Sequence, residues 1–197
     1  MNIENVPSGI YLQLAGIGEK EIEKLMSIGY FDAPASKGHH LVRKGGLVEH
    51  SANVTHMLTK LTETIDVKWP RTESPYLVGM LHDLVKCRCY RSTMTPIGAL
   101  AWKYEQPSYP GHGIASVMIA AELGIELRPE EIAAITYHMG MFGVGKEYTY
   151  EEFNAALAKF PQQIIATHCA DWWAARVTED GVFAVAGEAQ DWKGGVR

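Results

Sequence analysis

Apolar residues recur at helical spacing along most of the chain and alternate almost nowhere. Ile22, Leu25, Met26 and Ile28 repeat roughly at that spacing, which predicts a helix over 19–28 with Gly29 to stop it. Leu47, Val54, Leu58, Leu61 and Ile65 mark one face of a longer helix over 47–66. After Pro70, Ser74 suits an N-cap and Pro75 a first helical turn, so a third helix is expected over 74–85. Its stretch Leu77-Val78-Gly79-Met80-Leu81 is apolar on every side, as in a helix buried all round. Further helices are expected over 112–123, 129–139, 151–159 and 161–177. Residues 1–16, with Pro7, Gly9 and Gly16, read as an irregular lead-in. Residues 87–111 read as mainly loop, with at most a short strand over 100–104; such long loops are often lids. The expected architecture is all-α, a single bundle of about seven helices with a long loop or lid between the third helix and the next. Residues 1–33 form a helical lead-in packed on the core, 34–178 the main domain and 179–197 a C-terminal tail.

Composition narrows this picture. A chain of 197 residues with 47% hydrophobic and 21% charged positions suits one ordinary globular domain. The net charge of -5 argues against generic nucleic-acid binding, so basic residues that matter must be locally placed. No apolar run reaches the roughly 18 residues of a membrane span, and the polar start Met1-Asn2-Ile3-Glu4-Asn5 is unlike a signal peptide. Cys87, Cys89 and Cys169 are odd in number and lack C-x-x-C pairing, which points to a reducing, cytoplasmic setting.

The chemistry lies where polar residues interrupt apolar helices. His50 falls on the face between Leu47 and Val54, and His82-Asp83 closes the most apolar helix. His112 opens a helix, His138 ends one, and Asp171 lies among Ile164, Ile165, Cys169 and Trp172. Singly, each histidine has an ordinary explanation; His138, for example, suits the dipole of a helix C-terminus. Acidic residues in apolar helices are rarely buried without a partner, so Asp83 and Asp171 weigh more. Together His50, His82, Asp83, His112, His138 and Asp171 form a mixed nitrogen and oxygen donor set. It suits Mn, Fe, Co, Ni or Zn, and six donors are about right for two ions.

The order of these residues resembles a family. Gly45-Gly46-Leu47-Val48-Glu49-His50-Ser51, then Leu81-His82-Asp83-Leu84-Val85-Lys86, then Asp171, is similar to the HD-domain metal-dependent phosphohydrolases. Gly111-His112-Gly113 and Tyr137-His138-Met139-Gly140 match the two further histidines of the two-metal branch. The lead-in, Pro34-Ala35-Ser36 with His39-His40, resembles HD domains of the 3′-to-5′ exoribonuclease type. The chain departs in two ways: Val85 stands where the family often has glycine, and the length leaves no room for those proteins' separate nucleic-acid-binding domain.

The resemblance implies an HD-type helical domain and a hydrolase acting on phosphate esters. His50, His82, Asp83 and Asp171 would hold a first divalent transition metal ion, and Asp83 would bridge to a second held by His112 and His138. A hydroxide between the two ions would attack phosphorus. Asp83 and Lys86 are the expected catalytic residues. Lys86, Arg88, Arg91, His39, His40 and Arg43 are the expected contacts to a small phosphate-bearing substrate, a nucleotide above all. Lys44, Trp102 and Tyr109 are lesser candidates, and His168 could support Asp171 from behind. Two alternatives share the ligand set: a diiron oxygenase of HD type, and a non-catalytic, metal-stabilised nucleotide-binding domain.

Overall fold

The computed structural model describes residues 7–37, 41–98, 100–106, 109 and 111–179. Among these, eight α-helices and one two-stranded sheet account for the regular structure. The helices are α1 (Pro7–Leu14), α2 (Glu19–Ser27), α3 (Gly46–Ile65), α4 (Ser74–Leu81), α5 (His112–Glu122), α6 (Pro129–Thr136), α7 (Tyr150–Lys159) and α8 (Pro161–Trp173). The strands are β1 (Tyr90–Met94) and β2 (Leu100–Tyr104). The seven expected helices are all present, but α4 and α6 stop earlier than the apolar pattern suggested. Each gives way to a tighter 3-10 turn, Leu84–Arg88 and Gly140–Gly143 respectively. Likewise α8 ends at Trp173 and passes into a wider π turn, Ala174–Thr178.

Two expectations need correction. The lead-in is not irregular, because α1 forms there and buries Leu12 in the main core. Proline is tolerated in a first helical turn, so Pro7 is no obstacle. The segment over 87–111 also holds more strand than expected: the short strand expected over 100–104 forms as β2, and β1 joins it. β1 and β2 pair antiparallel, with Tyr90 opposite Tyr104, Ser92 opposite Trp102 and Met94 opposite Leu100. The hairpin is rooted by Tyr90 and Tyr104, whose rings meet edge to face at 5.6 Å, while Met94, Ile97 and Leu100 at its outer end are exposed.

The helices pack around one main core. It joins Leu12, Leu25, Leu47, Val54, Leu58, Leu77, Met80, Leu81, Ile119, Ile135 and Ala170. A smaller cluster of Ala133, Tyr148, Phe153 and Ile164 lies under α7. Two glycines set the closest helix approaches. A Cβ at Gly79 would run into Thr55 of α3, and one at Gly113 into the backbone of Ile135 and Thr136. Gly79 lets α4 lie directly on α3, and Gly113 lets α5 meet the end of α6. Both contacts sit within three residues of a candidate ligand, His82 or His112. No helix among the described residues is long and apolar enough to cross a membrane.

Candidate metal centre

Five segments converge on one spot. α3 brings His50, the end of α4 brings His82 and Asp83, and α5 brings His112. The turn after α6 brings His138, and α8 brings Asp171. Around the first pair of imidazoles, His50 Nε2 lies 3.3 Å from His82 Nε2, 3.5 Å from Asp83 Oδ2 and 3.2 Å from Asp171 Oδ1. His82 Nε2 lies 3.4 Å from Asp83 Oδ2 and 3.8 Å from Asp171 Oδ1. On the other side of the same carboxylate, Asp83 Oδ1 meets His112 Nε2 and lies 3.7 Å from His138 Nε2. Asp83 thus turns one oxygen to each of two imidazole pairs.

The tautomers follow from the outer ring nitrogens. His82 Nδ1 sits 2.9 Å from the carbonyl of Gly79, and His138 Nδ1 sits 2.7 Å from that of Ile135. A carbonyl only accepts, so each Nδ1 carries a proton and each ring turns its Nε2 inward. Donor atoms around an ion with bonds of about 2.1 Å stand roughly 3.0–3.5 Å apart, the spacing of most of these contacts. His50, His82, Asp83 and His138 are buried, while His112 and Asp171 are partly exposed and mark the side open to solvent.

The electrostatics favour positive charge. Burial alone pushes the His50 pKa down, but hydrogen bonds to Asp171, Asp83 and Glu179 outweigh it and raise it well above the ordinary value. Burial likewise opposes ionisation of Asp83, yet Lys86, His82 and His112 hold its carboxyl well below the usual range. Asp171 is held low against burial by its hydrogen bond to His50 and by His82. His138, dominated by burial and by neighbouring His82, is pushed down to about 4 and stays a neutral lone-pair donor near neutral pH. These residues fit a pair of divalent cations: buried lone pairs and carboxylates face one another across gaps of ligand-to-ligand size. Three trios, His50–His82–Asp83, His82–His138–Asp171 and Asp83–His112–His138, each offer donor atoms within 4.8 Å of one another.

Lys86 places its ammonium 2.5 Å from Asp83 Oδ2 with its side chain 15% exposed, so it borders both cluster and solvent. The arginines expected beside it are engaged elsewhere. Arg88 pairs with Tyr109 and Glu122, Arg91 with Glu105, and Arg43 with Glu49. Arg91, Lys44 and Trp102 line a separate groove of about 370 Å³, together with Asp32 and Cys87. None of the six donors lines that groove. His39 and His40 lie outside the described residues.

Three supporting residues stand behind the donors. His168 Nδ1 lies 2.7 Å from the His138 carbonyl and steadies the turn that carries that ligand. Glu147 accepts the backbone N–H groups of His112 and Gly113, at 2.8 and 3.3 Å, and so fixes the start of α5. Glu179 meets His50 Nδ1 with both carboxylate oxygens, at 3.0 and 3.1 Å. Sequence reading assigned Glu179 to an unpatterned tail. The available signal was spacing: it lies eight residues after Asp171, about two helical turns on. Comparison with family models, curated proteins and solved structures finds no match.

Proposed function

We propose that this protein is a metal-dependent phosphohydrolase of HD type that acts on a nucleotide or related small phosphate ester. The observation that carries the reading is the split carboxylate of Asp83, with Oδ2 toward His50 and His82 and Oδ1 toward His112 and His138. His50, His82, Asp83 and Asp171 would hold one divalent ion, and Asp83, His112 and His138 the other. When bound, such a pair supplies Lewis-acid charge and a water ionised near neutral pH. The chain's own groups supply the rest. Burial of His50, His82 and Asp83 closes the rear of the site to solvent, so substrate enters past His112 and Asp171. Lys86, at the edge of the cluster, is placed to turn from Asp83 toward a phosphate oxygen as a compact point charge. That ammonium favours an anionic ester over the oxygenase alternative.

The test is a metal assay followed by a substrate panel. Purified protein supplied with Mn, Fe, Co, Ni or Zn is expected to bind about two ions per chain and to release phosphate from one or more nucleotides. Asp83→Ala is expected to abolish turnover and to lose metal. Substrate-dependent oxygen uptake with a mixed-valent diiron EPR signal, and no phosphate release, would instead establish the oxygenase. Metal-dependent folding with nucleotide binding but no turnover would establish the non-catalytic domain.

A further inference from the structure

The outer nitrogens of the buried histidines do not all meet the same kind of acceptor. His82 and His138 each face a neutral backbone carbonyl, of Gly79 and Ile135. His50 faces a carboxylate, and Glu179 presents both oxygens to its Nδ1. The side chains of His50 and Glu179 are each 1% exposed, so little water screens the contact. Asn53 donates its amide N–H to Glu179 Oε1 at 3.0 Å. Asn53 lies three residues beyond His50 on α3, so one helix supplies both the imidazole and a clamp on the carboxylate that orients it. The π turn after α8 delivers Glu179, whose N–H closes on the Ala174 carbonyl at 3.0 Å. Single π turns of this kind are frequent at functional sites.

A carboxylate draws the Nδ1 proton more strongly than a carbonyl does, which makes Nε2 a better electron donor and fixes the ring plane. From this contrast we infer that Glu179, braced by Asn53, is a positioning residue for His50 that makes the two ion sites unequal, the His50 side binding more tightly. The inference rests on the two-metal reading above. On the other side of Asp83, His138 leans on the Ile135 carbonyl, and Glu147 touches the backbone of His112. Neither gives a buried carboxylate in contact with an imidazole Nδ1.

The test measures metal binding, independent of turnover. The full chain, Glu179→Gln and Asn53→Ala are stripped of metal, melted, and titrated with Mn or Co against a competing chelator. Wild type is expected to bind in two resolved steps. Glu179→Gln is expected to melt near wild type when metal-free, to weaken the tighter step about 10–100-fold and to leave the weaker step unchanged. The Co visible spectrum of the first step should shift with it. Asn53→Ala, which keeps the carboxylate, should weaken the same step by less, and it decides the matter should Glu179→Gln fold poorly. Unchanged steps in both variants, or equal loss at both steps, overturn the inference and leave the phosphohydrolase reading standing. A wild type that binds no ion overturns both.

Discussion

Lys86 sits 2.5 Å from Asp83, in a cluster whose carboxylates Asp83, Asp171 and Glu179 all act to raise its pKa, while burial acts to lower it. In the metal-free protein its ammonium offsets part of a concentrated negative charge. Removing one partner of a buried ion pair is costly, so Lys86→Met is expected to destabilise the metal-free protein by about 3 kcal/mol. Adding Mn or Zn should recover most of that loss, because the ions supply the missing charge. Chemical denaturation with and without metal measures both. Val85, beside it, is accommodated in the core. Its side chain is fully buried and its N–H reaches Ser116 Oγ at 3.1 Å, while Lys86 still meets Asp83. His50, His82 and Asp83 were legible in the sequence because polar residues in buried apolar stretches stand out, whereas Ile165, Cys169 and Trp172 around Asp171 face solvent. Glu179 was not, because it follows the last helix in a stretch without apolar rhythm, and only the π turn brings it inward.

The helices are aligned by a further buried carboxylate, one that is not among the six donors. Glu131 of α6 takes both guanidinium contacts of Arg71, at 2.7 and 2.8 Å, and the Ser74 hydroxyl at 2.7 Å. It also accepts the Arg128 amide at 2.7 Å. This ties the start of α4 to the start of α6, and the far ends of those helices lead to His82 and His138. Burial alone raises the Glu131 pKa, but the hydrogen bonds from Arg71, Arg128 and Ser74 outweigh it and lower it. A lowered folded pKa means that the unfolded chain binds more protons through this window, so stability rises with pH there. The contribution is whole above the unfolded value, about 4.3, and is lost as pH falls through the folded one. Glu131→Gln should therefore cost about 2–3 kcal/mol at pH 7 and flatten the acid limb of a pH–stability curve. The tight crossing at Gly113 makes a sharper demand. Gly113→Ala drives a methyl group into the Ile135–Thr136 backbone and should cost about 1–3 kcal/mol, read as a lower urea midpoint. The positions of α2 to α8 were readable from apolar spacing with proline, glycine and cap signals, whereas α1 was not. The ends of α4 and α6 were not, since apolar residues continue into the 3-10 turns that begin two residues after His82 and His138. Of the hairpin, β2 was legible as a short strand over 100–104, but β1 was not, because it is exposed beyond Tyr90 and carries no in–out alternation of apolar residues.

Across the whole molecule, candidate ligands come from five segments, so on the two-ion reading metal binding would be a property of the assembled fold. An ion that binds only the folded chain stabilises it by about 2.7 kcal/mol at a free concentration of 100 Kd. Dialysis against a chelator should then lower the melting temperature by about 5–10 °C for a chain of this size, and the second equivalent of metal should restore less than the first. Scanning calorimetry of stripped and reloaded protein checks this. The single main core, shared by α1 and α2 with the bundle, predicts one cooperative transition in each state.

The spread of the donors also bears on the order of events during synthesis. The first, His50, leaves the ribosome long before the last, Asp171, and the carboxylate behind His50 comes later still, at Glu179. Helical pairs such as α3 and α4 can form from short-range contacts as the chain emerges, but the cage closes only when α8 docks. On the two-ion reading metal capture would be a late step, and a chain cut short before α8, lacking Asp171, would not complete the first ion site. On that reading a loaded centre would also report that α8 has been made and has docked.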